Sequence, residues 1–219
     1  MVRHAVLACA LGSAMAFAGA GARADTPHVA LDFEPKCTDL QTQQIAEAMM
    51  MAYLSIEVVV SDLGSHPPSK FAERAIDIWF GADVETPQVL RMYRRIFKRI
   101  QDGEKPIAIT CDHHEDLYGW TWMETDDRAN IGFGRAFFQA RVIGGYDTRM
   151  GTIVHELSHM VREVASDDIV YGIAGAQDLA RQGEEHPIHN ADSFEYLVEM
   201  MVGNRKNQLP RQSAEHPAL

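Results

Sequence analysis

His155-Glu156-Leu157-Ser158-His159 constrains this chain more than any other stretch. Residues four apart on an α-helix lie one above the other on the same face, so this spacing aims two imidazoles at one point. It predicts a helix from about Asp147 to Glu163, with Ile153, Val154, Leu157, Met160 and Val161 burying it in a core. Two imidazoles do not complete a catalytic zinc site, which takes three protein ligands and keeps a fourth position open. The fold must therefore bring another segment back to this helix. Glu156, beside the first histidine, is placed to take a proton from water activated there without ligating the metal itself.

Three patterns could supply the third ligand. A metzincin-like site needs Gly at 162 and His at 165, where this chain has Arg162 and Ala165. A gluzincin-like site takes a glutamate from a later helix, and Glu195 or Glu199 in "NADSFEYLVEM" would serve. The third pattern is an aspartate just past the helix. Val164, Ala165 and Ser166 weaken the helix there, and Asp167-Asp168 can fold back towards the metal. Spacing alone does not separate Asp167 from Asp168.

Residues 1–24 read as a secretory signal: Arg3 and His4, an apolar run to about Ala18, then Ala22-Arg23-Ala24 as a cleavage site. The run is too short and too rich in Ala and Gly for a good membrane span. Lipidation at Cys9 is disfavoured because almost no apolar segment precedes it. The expected product is an exported chain from Asp25, in the periplasm or outside the cell, with no later membrane-spanning segment. Its formal charge moves from −11 to −13 once Arg3 and Arg23 leave with the signal. An acidic surface argues against nucleic acid as a partner. Cys37 and Cys111 remain, and in an oxidising compartment they are expected to pair. The bridge would close a loop of roughly 75 residues and stabilise by about 3–4 kcal/mol.

Periodicity gives one mainly helical α+β domain over residues 25–203, followed by a polar tail, 204–219. A first helix is predicted from Thr38 or Asp39 to Gly64, and a second in "PPSKFAERAIDIWFG" with Pro68 in its first turn. The third, "TPQVLRMYRRIFKRIQDG", should be capped by Thr86, stop near Gly103 and bury Met92, Tyr93, Ile96, Phe97 and Ile100. "PIAITC", "YGWTWME" and "ANIGFG" read as a small sheet, with the strand around Ile131-Gly132-Phe133 as an edge for an extended substrate. A last helix is predicted from Asn190 to about Val202. His113 and His114 read as a polar surface loop, and His186 and His189 as a loop leading into the last helix.

"HELSHMVREVASDDIVYG" resembles the aspzincin metallopeptidases, the deuterolysin and peptidyl-lysine endopeptidase family. Their pattern is His-Glu-x-x-His followed by Gly-Thr-x-Asp-x-x-Tyr-Gly. "CTDLQTQQIAEA", "WFGA", "TCD", "IGFGRAFF" and "RMGTIVHE" fall in family order, so the likeness covers nearly all of the domain. The resemblance implies a zincin-like domain with a small sheet and an active-site helix. It implies one zinc ion on His155, His159 and Asp168, Glu156 as general base and Tyr171 assisting the transition state. Asp192 and Glu195, three apart on one helix face, resemble the pair with which lysine-selective members receive a lysine after the cleaved bond. The substrate would be a peptide or protein and the enzyme a monomer. Two departures stand out: Ala165-Ser166 replaces Gly-Thr, and a second family disulfide is lost because its places hold His113 and Gly134. A relative that binds peptides or a partner without cutting is the alternative, against which the intact Glu156 argues.

Overall fold

The computed structural model describes residues 29–111, 116–123, 129–164, 166–183 and 186–203. The leader with Cys9, His113, His114, Ala165 and the tail from 204 lie outside the described residues.

Helix α1, Asp39–Leu63, begins with a capping box: the Thr38 hydroxyl accepts from the Gln41 amide, and the Gln41 side chain accepts from the Thr38 amide. Ile45, Met49, Ala52, Ile56, Val59 and Leu63 line its buried face against the helices at Thr86–Gln101 (α3) and Arg149–His159 (α5). By length and apolar content α1 could cross a membrane, contrary to the expectation that no segment after the leader would. Here that apolar character packs the protein core.

Helix α2, Lys70–Trp79, is capped by Ser69, whose hydroxyl accepts from the Ala72 amide at 3.0 Å. Pro68 thus precedes the helix instead of occupying its first turn. Helix α3 spans Thr86–Gln101, with Glu85 at the cap position and no side-chain bond there, so Thr86 is not its cap. The predicted stripe holds: Met92, Tyr93, Ile96 and Ile100 are buried and Phe97 packs against them.

Four strands form one mixed sheet: β1 Leu31–Phe33, β2 Ile107–Cys111, β3 Gly119–Met123 and β4 Ala129–Phe133. Their order is β1-β2-β4-β3; β1, β2 and β4 run parallel, and β3 is antiparallel to β4. Strand β4 is therefore interior, which corrects its reading as a substrate edge. Ile131 and Phe133 are fully buried, and both of its backbone sides are paired. The edge on that side is β3. The expected disulfide joins Cys37, just before α1, to Cys111 at the end of β2.

Helices α4 (Arg135–Gln139), α5 (Arg149–His159), α6 (Gly172–Arg181) and α7 (Ala191–Gly203) complete the domain, with a 3-10 turn at His186–His189 before α7. Helix α5 packs on α7, α1, α3 and β3, so nearly every one of its residues is buried. It stops four residues short of the predicted Glu163. Val164 turns back with its amide on the Val161 carbonyl, at 2.8 Å, and both valines fold into the core.

Candidate active site

The predicted site residues converge at the C-terminal half of α5. His155 and His159 lie one turn apart, with ring centroids 5.0 Å from each other. The Asp168 Oδ1 stands 3.0 Å from Nε2 of His155 and 3.3 Å from Nε2 of His159. Asp167 is turned elsewhere. Its amide donates to the His189 carbonyl, its carbonyl accepts from the Ala191 amide, and its carboxylate accepts from the Asp168 amide at 2.8 Å. These bonds tie the segment to the start of α7 and present Asp168, not Asp167, to the imidazoles.

The outer nitrogens indicate which ring atoms carry protons. His159 Nδ1 lies 3.0 Å from the Ser166 carbonyl, which can only accept, so Nδ1 carries the proton. The Ser166 hydroxyl braces the same turn by pairing with Ser158 at 2.7 Å. His155 Nδ1 faces Asp192 at 2.9 Å and Glu195 at 3.4 Å, again acceptors. In both neutral rings Nε2 is then a lone pair, and both lone pairs face one Asp168 oxygen. The three candidate ligand atoms lie within 4.8 Å of one another. Three converging acceptors need a shared cation. Tetrahedral zinc, with bonds of about 2.0–2.1 Å, holds its ligand atoms about 3.3–3.4 Å apart. The residues present therefore fit a zinc ion.

Without a metal, protons take that role. Burial alone would lower the His155 pKa, but hydrogen bonds with Asp168, Asp192 and Glu195 raise it well above its ordinary value. The His159 pKa is raised too: burial opposes the change, and the bonds to Asp168 and Ser166 drive it. The two histidines hold Asp168 far below the usual carboxylate range.

Glu156 is 2 % exposed, and burial raises its pKa, with the charge of His155 and the Thr121 bond partly opposing. The Thr121 hydroxyl donates to its Oε2 at 2.7 Å. On the other side, a Cβ added to Gly119 would stand 2.7 Å from Oε1. The edge strand β3 thus clasps the carboxylate from two positions that the motif did not reveal. Tyr171 stands at the rim, 68 % exposed, and burial followed by its hydrogen bond with Asp168 pushes its pKa up to about 12.

Asp192 accepts from the Gly172 amide at 2.6 Å while its other oxygen orients His155. Asp192 and Glu195 also face a cavity of about 420 Å³, with Asp147 at its side and Tyr118 and Tyr196 among its walls. Burial, foremost, holds the Glu195 carboxyl up to about 7. The Glu199 carboxylate accepts from the Asp147 and Thr148 amides and the Thr148 hydroxyl, capping α5 away from the imidazoles. Of the two glutamates considered as a third ligand, Glu199 is taken up by that cap. Glu195 faces Nδ1 of His155, the edge opposite Asp168.

The family model described as "Lysine-specific metallo-endopeptidase", of the aspzincin type, matches residues 70–199. A protein of Aeromonas hydrophila named "Extracellular protease" is 30 % identical over 171 residues, covering 77 % of this chain and 47 % of that protein. The "Peptidyl-Lys metalloendopeptidase" of Pleurotus ostreatus is 53 % identical over 64 residues, 29 % of this chain and 38 % of its own. The chain thus spans about half or less of the length of these curated relatives. Among solved structures, a zinc peptidase from Grifola frondosa superposes with a TM-score of 0.64 at 25 % identity, covering 74 % of this chain and 96 % of that one.

Proposed function

Given that this chain belongs to the aspzincin metallo-endopeptidase family, we propose that it is an exported, monomeric zinc endopeptidase that cleaves polypeptides ahead of lysine. The family implies a metal, and the observation that carries the zinc reading is the convergence of Nε2 of His155 and of His159 on one Asp168 oxygen. His155, His159 and Asp168 would hold a single ion. When bound, zinc supplies Lewis acidity towards a peptide carbonyl and makes water a competent nucleophile near neutral pH.

The other steps belong to this chain. Glu156, its carboxyl pKa raised by burial, takes the proton from the attacking water and passes it to the leaving amine. Thr121 and Gly119 keep that carboxylate from swinging away. The Tyr171 phenol remains protonated at neutral pH and can donate to negative charge developing on the carbonyl oxygen. Asp192, and behind it Glu195, fix the His155 tautomer so that Nε2 stays a ligand. An extended substrate can pair with the edge of β3. Its lysine would enter the 420 Å³ cavity, with the stem between Tyr118 and Tyr196 and the ammonium near Glu195 and Asp147.

Zinc stoichiometry and cut-site mapping on an unfolded protein test the reading. Wild-type protein should hold one zinc and cut before lysine; Glu156→Gln should keep the zinc and lose at least a hundredfold in kcat, while Asp168→Ala loses zinc. If Glu195→Gln lost the metal and Asp168→Ala kept it, the ligand assignment would fall. Wild-type protein with full zinc that cuts nothing would be a binding relative.

A further inference from the structure

The catalytic centre opens into two cavities, and the acidic one accounts for only the downstream side of a substrate. The second, about 450 Å³, shares Leu117, Gly119, Glu156, Asp168 and Tyr171 with the first but extends along β3 to Trp120 and Trp122. Four of the eight large apolar side chains exposed among the described residues, Leu117, Tyr118, Trp122 and Tyr171, line these two cavities. Apolar surface concentrated at a cleft marks a place that something apolar covers. Trp120 is built in: a Cβ on its cross-strand neighbour Gly132 would stand 2.0 Å from the indole, so glycine lets the ring cross β4. Trp122, 37 % exposed, remains open to a ligand.

The strand direction says which part of the substrate lies there. Both cavities touch Leu117 and Gly119 at the start of β3; there the acidic one alone adds Tyr118, and the aromatic one alone continues to Trp120 and to Trp122 near the strand's end. A substrate with its lysine side in the first cavity and its upstream residues at Trp122 runs antiparallel to β3, the geometry an edge strand pairs well. Glu156 lies against Gly119 and Thr121, which centres the chemistry near Trp120. Trp122 is two residues further on, or about 7 Å along the strand. We propose that this second cavity is a subsite for a large apolar or aromatic side chain carried by one of the two residues immediately ahead of the cleaved bond. The assignment of sides rests on the lysine reading above.

The test uses the full chain with its zinc and internally quenched peptides, with cut positions identified by mass spectrometry. One pair differs only at the two upstream residues, Phe or Leu against Ser; a second differs only downstream, Lys against Gln. Wild type should favour the apolar peptide by about tenfold in kcat/KM, or about 1.4 kcal/mol of transition-state binding. Trp122→Ala should bring that ratio near one, Trp122→Phe should restore most of it, and the Lys-to-Gln ratio should be the same in all three. Anisotropy titrations of the same peptides on Glu156→Gln protein give the comparison without turnover. Indifference of the wild type to the upstream residues, or a preference that survives Trp122→Ala, overturns the proposal. A lost Lys preference with the upstream preference intact would overturn only the lysine reading.

Discussion

Replacing Gly119 with alanine should disable the base while leaving fold and metal in place. The added Cβ would stand 2.7 Å from Oε1 of Glu156 and 3.2 Å from its Cγ and Cδ. Carbon and oxygen do not approach much inside about 3.4 Å, so the carboxylate must retreat by roughly 0.7 Å. The struck atom is the far end of a side chain, which can give way before the backbone does, and the atoms nearest the new Cβ all belong to Glu156, not to His155, His159 or Asp168. Retreat strains the 2.7 Å bond from Thr121 that aims the other oxygen. A reacting group misplaced by about 1 Å costs on the order of a hundredfold, so kcat should fall by about 10- to 100-fold with KM little changed. The thermal midpoint should stay within a few degrees and zinc stoichiometry should equal wild type. Steady-state kinetics on a quenched lysine peptide, metal analysis and a melting curve together make the measurement. Full kcat in zinc-replete Gly119→Ala protein would refute the reasoning, because Glu156 would then not act from the position in which β3 holds it.

Glu199→Ala removes the acceptor for the Asp147 and Thr148 amides and the Thr148 hydroxyl, and should destabilise by about 3 kcal/mol, read as a fall in the urea midpoint. Burial and then the charge of Glu195 hold the Glu199 carboxyl up to about 9, so the folded metal-free protein keeps a proton that the unfolded chain releases. Stability is therefore fullest below the ordinary carboxylate range and declines as pH rises towards 9; Glu199→Gln should flatten that decline, and equal slopes would count against it. Replacing Cys37 and Cys111 with serine opens a loop of sequence separation 74, which should cost about 4 kcal/mol and lower the melting midpoint by about 10 °C; an unchanged midpoint would show that the β1–β2 pairing alone closes the loop.

What the sequence discloses is what repeats. Helices α1, α2, α3, α5 and α7 are legible because their apolar residues recur at helical intervals, and strands β2, β3 and β4 because β-rich runs stand between polar segments. Strand β1 has three residues and exists through its parallel pairing with Ile107–Ile109, a contact more than seventy residues away. Helix α6 begins at Gly172 and contains Gly175, which weaken its local helical signal, yet α2 and α7 pack against it. Strand order is the costliest omission. Nothing local in "ANIGFG" tells an interior strand from an edge, and only the partners on both sides show that β4 is interior and β3 the edge.

The site divides in the same way. His155, Glu156 and His159 follow from helical spacing, but the choice of Asp168 over Asp167 depends on bonds to His189 and Ala191 that lie outside any periodic rule. The resemblance points to Asp168, and the backbone supplies a physical reason: Asp167 is occupied in pairing with the start of α7. Ser166, one of the departures from the family pattern, makes two contacts at the site. Its carbonyl fixes the His159 tautomer, a role indifferent to side chain, while its hydroxyl bonds Ser158 as threonine's could. Asp192 carries the larger consequence. Expected as a lysine receptor, it bonds His155 Nδ1 and the Gly172 amide, which adjoins Tyr171. One carboxylate therefore links a proposed metal ligand, the rim tyrosine and the acidic cavity. Substitution at Asp192 should disturb metal affinity and lysine selection together, whereas Glu195, 3.4 Å from the ring and within the same cavity, is the residue at which the two can be separated.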